Sequence, residues 1–161
     1  MRRGMIRAAG LGLLLVTAMA AGATDYSKRA RPIDVSIRTA LLGKWTNPVD
    51  GLVIDIRSID PVTGQISGKE WPTSALLPGS SPAGTEHDII GWVSAAPPRP
   101  DMDNVVTVSF STSLFEYGTL PSWAGFLRDG KIVTMHYLIW PNRTYKWDHV
   151  SAFQETWTRV P

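Results

Sequence analysis

Residues 43–47, with the sequence Gly-Lys-Trp-Thr-Asn, open the part of the chain that decides the fold. Trp45 follows a glycine at the start of a strand-like segment, a pattern typical of an indole that closes one end of a small β-barrel. Asn47 points the same way as Trp45, because side chains alternate along a strand. The segment therefore predicts an interior wall that carries an apolar plug and a polar amide.

Strand-like segments follow one another from Gly43 to the end of the chain, and turns or Pro- and Gly-rich loops separate them. The strongest local signal is the Asp-Gly hairpin turn within residues 128–130. No segment predicts a convincing helix. The eight predicted strands are 43–47, 52–57, 65–71, 87–93, 105–110, 122–127, 131–139 and 149–160. We therefore predict an all-β fold, an eight-stranded antiparallel up-and-down β-barrel of the size that encloses one small ligand.

The start of the chain predicts an export signal. Three arginines precede the apolar run 8–16, which is too short to span a bilayer, and small residues suited to cleavage follow it. We expect residues 1–23 to be removed on export to the periplasm or the cell exterior. Residues 24–42 are then expected to form a polar tether, and residues 43–161 the barrel domain.

Charge and composition narrow the classes of partner. The whole chain has a formal net charge of +2, but residues 24–161 carry 13 Lys and Arg against 14 Asp and Glu. The positive charge thus belongs to the predicted signal, and we expect no nucleic-acid partner. No second apolar run is long enough to cross a membrane, so no membrane association is expected.

The sequence gives no reason to expect a cofactor, a metal or a catalytic step. The chain contains no cysteine, which excludes disulfides and thiolate metal sites. Residues 86–88, Glu-His-Asp, resemble a metal cluster in composition only, because neighbouring side chains of a strand point to opposite faces. No Ser/His/Asp arrangement and no Gly-rich phosphate loop are present.

Five segments of the chain resemble the avidin/streptavidin family in their order and spacing. They are residues 43–47, 107–110, 122–125, 132–135, and Trp147 with 156–159. The resemblance covers Gly43–Val160. It implies an eight-stranded barrel that assembles into dimers or tetramers and binds biotin at one mouth.

The same resemblance implies roles for individual residues. Asn47 would donate to the ureido oxygen of the ligand, and Glu155 takes the place of an aspartate that accepts from a ureido N–H. Phe110 and Trp123 would form aromatic walls of the ligand site. Trp147 would reach into the pocket of a neighbouring subunit.

The strand register leaves two positions of the site open. Either Glu70 or Trp71 takes the place of a family tyrosine, and the second choice also puts Thr73 where a serine acceptor belongs. Either His136 or Tyr137 takes the place of a family tryptophan. We expect Trp71, Thr73 and Tyr137 to complete the set of ligand-binding residues.

Other positions depart from the family pattern. Gly51 replaces a serine, with Asp50 beside it, and Pro121 stands where a threonine hydroxyl is expected. Each missing polar partner costs roughly 1–3 kcal/mol when a buried ligand group is left unsatisfied. We therefore expect weakened biotin binding, or an avidin-like barrel that binds a different small molecule.

Three further alternatives stay open. A lipocalin-like carrier of a small hydrophobic ligand also begins with Gly-x-Trp, although the short span from Gly43 argues against it. An enzyme on the same barrel would use Glu70, His136 and Glu155 as acid–base groups, but a single inward histidine without a positioned partner makes this unfavourable. A scaffold barrel would fill its interior with its own side chains.

Overall fold

The computed structural model describes residues 32–74, 81–95, 100–114 and 117–161. These residues contain one helix and eight strands. The elements are α1 (Val35–Leu41), β1 (Gly43–Asn47), β2 (Leu52–Ile59), β3 (Gln65–Pro72), β4 (His87–Ser94), β5 (Val106–Thr112), β6 (Leu120–Arg128), β7 (Lys131–Ile139) and β8 (Val150–Arg159). The predicted signal, residues 1–23, lies outside the described residues.

The eight strands form a closed antiparallel barrel in which each strand pairs with its neighbours in the chain. The first and last strands close it, with Trp45 opposite Arg159 and Thr46 opposite Thr158. The predicted fold class is therefore confirmed. Closure leaves no sheet edge unpaired, which suits a chain that has no disulfide to stabilise it.

Alternation along the strands fills the barrel with apolar side chains. The inward residues of β2 to β5 are mostly Ile, Leu, Val and Phe, as the sequence pattern predicts. Trp45, Trp123 and Trp157 are the largest fully buried side chains among the described residues. The Trp157 indole donates to the Thr134 hydroxyl at 3.0 Å, so its one polar atom is satisfied inside the core.

The β6–β7 hairpin has the predicted turn. Arg128 pairs with Lys131, and the two residues between them, Asp129 and Gly130, have φ values of 49° and 70°. Asp-Gly is favoured at such positions because a two-residue hairpin turn needs positive φ at both residues.

The expectation that the chain forms no helix was wrong, because residues 35–41 form α1 just before the barrel. Asp34 caps this helix by accepting from the Ser36 backbone N–H at 2.7 Å. The seven-residue helix is too short to show a hydrophobic period. It is held by the buried side chain of Leu41, whose carbonyl accepts from the Trp45 indole at 2.8 Å.

The last strand also holds the helix in place. The guanidinium of Arg159 donates to the carbonyls of Ala40, at 3.1 Å, and of Leu42, and thus satisfies acceptors that the end of a helix leaves open. It also lies 5.5 Å from the centre of the Trp45 ring. Residues 32–42, assigned to the predicted tether, thus contact the barrel, while residues 24–31 lie outside the described residues. Within the described part of the chain, no helix has the length and apolar character needed to span a bilayer.

We predict that Leu41→Ala lowers the free energy of unfolding by about 2–5 kcal/mol, because it removes a fully buried side chain from the helix–barrel contact. Val35→Ala on the same helix is the matched control, since Val35 is exposed and its loss costs within about 0.5 kcal/mol. Urea denaturation followed by tryptophan fluorescence measures both. Equal effects of the two substitutions would show that the helix is not part of the cooperative core.

Candidate functional site

The ladder between β2, β3 and β4 settles the register at the end of β3. Glu70 pairs with Ile54 on one side and His87 on the other, and its side chain is buried on the inner face. Trp71 lies on the outer face, where the Lys44 ammonium is 5.5 Å from its ring centre. The expectation that Trp71 lines the interior is corrected: Glu70 occupies that position.

The same correction applies to β7. His136 is buried, and its ring stacks on that of Trp123 with a centroid distance of 4.5 Å. Tyr137 points outward and pairs with Ala152, with 42% of its surface exposed. The interior therefore receives an imidazole and not the phenol that was expected.

Aromatic rings form a continuous layer in the interior. Phe110 and Trp123 stack with their centroids 5.2 Å apart, and Trp157 meets Trp123 edge-on at 6.1 Å. Phe153, which the sequence analysis did not consider, meets His136 edge-on at 4.6 Å. Phe110 and Trp123 thus lie together, as the resemblance implied.

The carboxylate of Glu155 is the centre of a polar cluster beside these rings. Its Oε2 accepts from the Trp123 indole N–H at 2.8 Å, and its Oε1 lies 2.7 Å from His136 Nδ1. All three side chains are buried. We call the interior region formed by Asn47, Phe110, Trp123, His136 and Glu155 the cup.

Asp50, from the β1–β2 turn, joins this cluster. Its carboxylate accepts from the Asn47 amide at 3.1 Å, and one ligand atom each of Asp50, His136 and Glu155 lies within 4.8 Å of the others. The pKa of Asp50 is raised to about 6, mainly by burial and also by a hydrogen bond to Glu155 and by the negative charge of Glu155, whereas the charge of His136 acts in the opposite direction. Asp50 therefore keeps its proton to a higher pH than an exposed aspartate does.

Sequence reasoning did not find this cluster, because its members are far apart in the chain. The available signal was a departure from the family pattern. Gly51 stands where a serine hydroxyl was expected, and Asp50 lies beside it. The three groups are of a kind that can hold a divalent ion.

Glu70 is the most isolated charged group of the interior. Its side chain is 4% exposed, and it has no hydrogen-bond or ion-pair partner among the described residues. Burial raises the pKa of its carboxyl from 4.5 to about 7.

The other expected ligand-binding residues have separate surroundings. Asn47 is buried, and its Oδ1 accepts from the Val49 backbone N–H at 3.0 Å, so its amide also shapes the turn. The Thr73 hydroxyl is exposed and donates to the Gly51 carbonyl at 2.7 Å. Trp147 is 76% exposed in the β7–β8 connection and outside the cup.

The residues 86–88 have separate contacts. The Nε2 of His87 lies 2.9 Å from the Ser81 hydroxyl, whereas Asp88 forms an ion pair with Lys69 at 2.8 Å on the surface. The side chains of His87 and Asp88 thus point to opposite faces of the strand, as alternation requires.

A surface hollow of about 540 Å³ lies at the other end of the barrel, near Trp45 and Arg159. Four of its ten lining residues are exposed charged residues, namely Asp103, Arg128, Asp129 and Arg159. Because Trp45 is its only aromatic lining residue among the described residues, we place no ligand there.

A family model described as the avidin family matches residues 35–160. Among solved structures, core-bradavidin is 26% identical with a TM-score of 0.57, over 71% of this chain and 96% of its own. Bradavidin is 24% identical with a TM-score of 0.60, over 73% of this chain and 79% of its own. A biotin binding protein from chicken is 19% identical with a TM-score of 0.59, over 76% of this chain and 99% of its own. A search of curated protein sequences gave no match.

We predict that the free energy of unfolding falls as the pH rises from about 4.5 to about 7. Glu70 has a higher pKa in the folded state than in the unfolded state, so the folded state binds the proton more tightly and loses stability when that proton leaves. Glu70→Gln should therefore stabilise the protein at pH 8 by roughly 2–3 kcal/mol and leave it little changed at pH 4.

Denaturant unfolding at pH 4, 6 and 8 measures this difference. Glu86→Gln is the control, because Glu86 is an exposed glutamate in a surface ion pair with Arg57 and its loss costs about 1 kcal/mol or less. If the free energy of unfolding of Glu70→Gln depends on pH as steeply as that of the unaltered protein, then Glu70 is not the group that causes the dependence.

Proposed function

Because the chain belongs to the avidin family, we propose that it is a non-catalytic binding protein for a small ring compound, with biotin as the leading ligand. The observation that carries the proposal is the cup itself, where the stacked rings of Phe110 and Trp123 lie beside a buried carboxylate on Glu155. A few polar groups among aromatic walls are typical of small-molecule sites. One of the related structures is itself named a biotin binding protein.

The family match favours this function over a lipocalin-like carrier. It also favours binding over catalysis, although Glu70, His136 and Glu155 do face the interior. His136 has a positioned partner in Glu155, yet no nucleophile shares a hydrogen bond with that pair among the described residues.

The polar side of the cup supports a reduced affinity for biotin. Of three polar positions of the family pattern, the Asn47 amide is retained, whereas the serine position and the tyrosine position are occupied by Gly51 and Glu70. Gly51 has no side chain, and Glu70 offers a carboxyl group. Two lost polar partners at roughly 1–3 kcal/mol each weaken binding by several orders of magnitude.

We also propose that the protein is exported and forms a homodimer or homotetramer. Support for assembly comes from an apolar strip on the outer face of β6 to β8, and Trp147 in the β7–β8 connection is a further exposed aromatic residue. The strip consists of the exposed side chains of Leu120, Met135, Tyr137, Ile139 and Val150. Contiguous apolar side chains on a barrel wall are typical of a protein–protein contact.

Calorimetric titration with biotin tests the proposed function. We expect saturable binding, and Trp123→Ala should weaken it by about 2–4 kcal/mol, because a buried aromatic wall is lost. Asn47→Ala should weaken it by about tenfold through the loss of one hydrogen bond. Trp92→Ala is the matched control, since this tryptophan is exposed on the outer face of β4. The absence of heat at high micromolar biotin from a folded barrel would rule out biotin.

Light scattering coupled to size exclusion tests the assembly. Ile139→Glu should lower the mass to that of one chain, because it places a charge in the apolar strip. Ile90→Glu is the control: Ile90 is similarly exposed, at 48% against 42%, but lies on β4. A single-chain mass for the unaltered protein across micromolar concentrations would contradict assembly through this strip.

A further inference from the structure

The charged groups of the barrel interior are mainly acidic. Asp50, Glu70 and Glu155 bring three carboxyl groups to the interior and its mouth from three parts of the wall. None of the described lysine or arginine side chains is buried, so no permanent cation balances these groups. The interior therefore lacks positive charge among the described residues. This is costly, because buried carboxylates are unfavourable unless they are paired.

The N–H donors of the cluster are directed at its carboxylates. The Trp123 indole and the Asn47 amide donate to Glu155 and Asp50, respectively. Because a carboxylate can only accept, His136 Nδ1 carries the hydrogen that bridges to Glu155. The other ring nitrogen, Nε2, is buried and has no hydrogen-bond partner within the part of the chain that the structure describes, and in the neutral imidazole it offers a further lone pair.

Glu70 is a second and independent observation. It is more than nine-tenths buried, lies on the inner face of β3 and has no partner among the described residues. It stands on a different strand from the groups of the cluster. A buried acceptor that no described residue of the chain satisfies is what a ligand with donors would complete.

We propose that the cup selects a small ring compound whose head group is a planar cation with several N–H donors, a cyclic guanidinium or amidinium, over one with a neutral ureido group. This inference rests on the proposed function, because it refines the ligand of the same site. A guanidinium matches carboxylates with two parallel hydrogen bonds in which both partners are charged. A neutral ureido group has fewer N–H donors and no charge to offer these carboxyl groups.

Proton release follows from this selection. Asp50 and Glu70 have raised pKa values because they are desolvated, and Asp50 also because it faces Glu155. A bound cation would favour their ionised forms and displace protons. Affinity for the cation should therefore fall as the pH drops below about 7, where Glu70 and then Asp50 take up protons. A positive charge on His136, the other titratable group of the cluster, would also oppose cation binding.

Two matched pairs of probes test the inference by calorimetry on the whole protein at pH 7, with a chelator present to remove divalent ions. The first pair is biotin and its cyclic guanidinium analogue, in which an imino nitrogen replaces the ureido oxygen. The second pair is benzamide and benzamidine, which lack the biotin skeleton. We expect each cation to bind at least tenfold more tightly than its neutral partner, with protons released in buffers of different ionisation enthalpy.

Variants assign the preference to the carboxyl groups. Asp50→Asn and Glu70→Gln keep the shape of each side chain and should reduce the preference for the cation at least tenfold, while Glu86→Gln on the surface leaves it unchanged. Circular dichroism and thermal melting confirm that each variant is folded.

The outcomes separate this inference from the proposed function. If biotin binds more tightly than its cationic analogue, the inference is overturned and the proposed function stands. If benzamidine binds in preference to benzamide while neither biotin nor its analogue binds, the inference stands and biotin is discarded. Binding of no probe, or a preference that the variants leave intact, overturns the inference.

Discussion

The hydrogen bonds of the Glu155 carboxylate are the constraint on which the rest of the interior depends. They join β8 to the indole of Trp123 on β6 and to the imidazole of His136 on β7. Since Trp123 also stacks on Phe110, one carboxylate fixes the orientation of the whole aromatic layer. The position of the rings that would contact a ligand and the position of the charge are therefore set by the same contacts.

Much of the fold could be predicted from the sequence, because the barrel depends on local patterns. Alternation identified every strand to within a few residues, and the positive φ values at Asp129 and Gly130 explain why that turn was the clearest signal. The helix α1 could not be predicted in the same way. Its seven residues are helical because Leu41 and the Arg159 contacts hold them against the barrel, and these contacts are far apart in sequence.

The candidate site was harder to predict, because one residue of register reverses which side chains face inward. On β3 the alternation near Trp71 allowed two registers. A bulge between Ile56 and Ser58 on the partner strand β2 shifts the pairing of β2 with β3. The same ambiguity applied to His136. The convergence of Asp50 with Glu155 depends on barrel closure, so no local pattern of either segment contains it.

The acidic interior links stability to binding. Evolution of a barrel toward a stable empty state favours apolar side chains at these positions, since a buried carboxylate that no described residue pairs with, such as Glu70, weakens the fold when it ionises. A ligand that completes the hydrogen bonds of these groups recovers that loss on binding and therefore stabilises the folded state beyond its contacts with the aromatic walls. An aromatic wall alone accepts any flat ring, whereas buried acceptors reject a ring that cannot donate to them. The positions at which this barrel departs from the polar pattern of its family are thus those at which it can distinguish one ring from another.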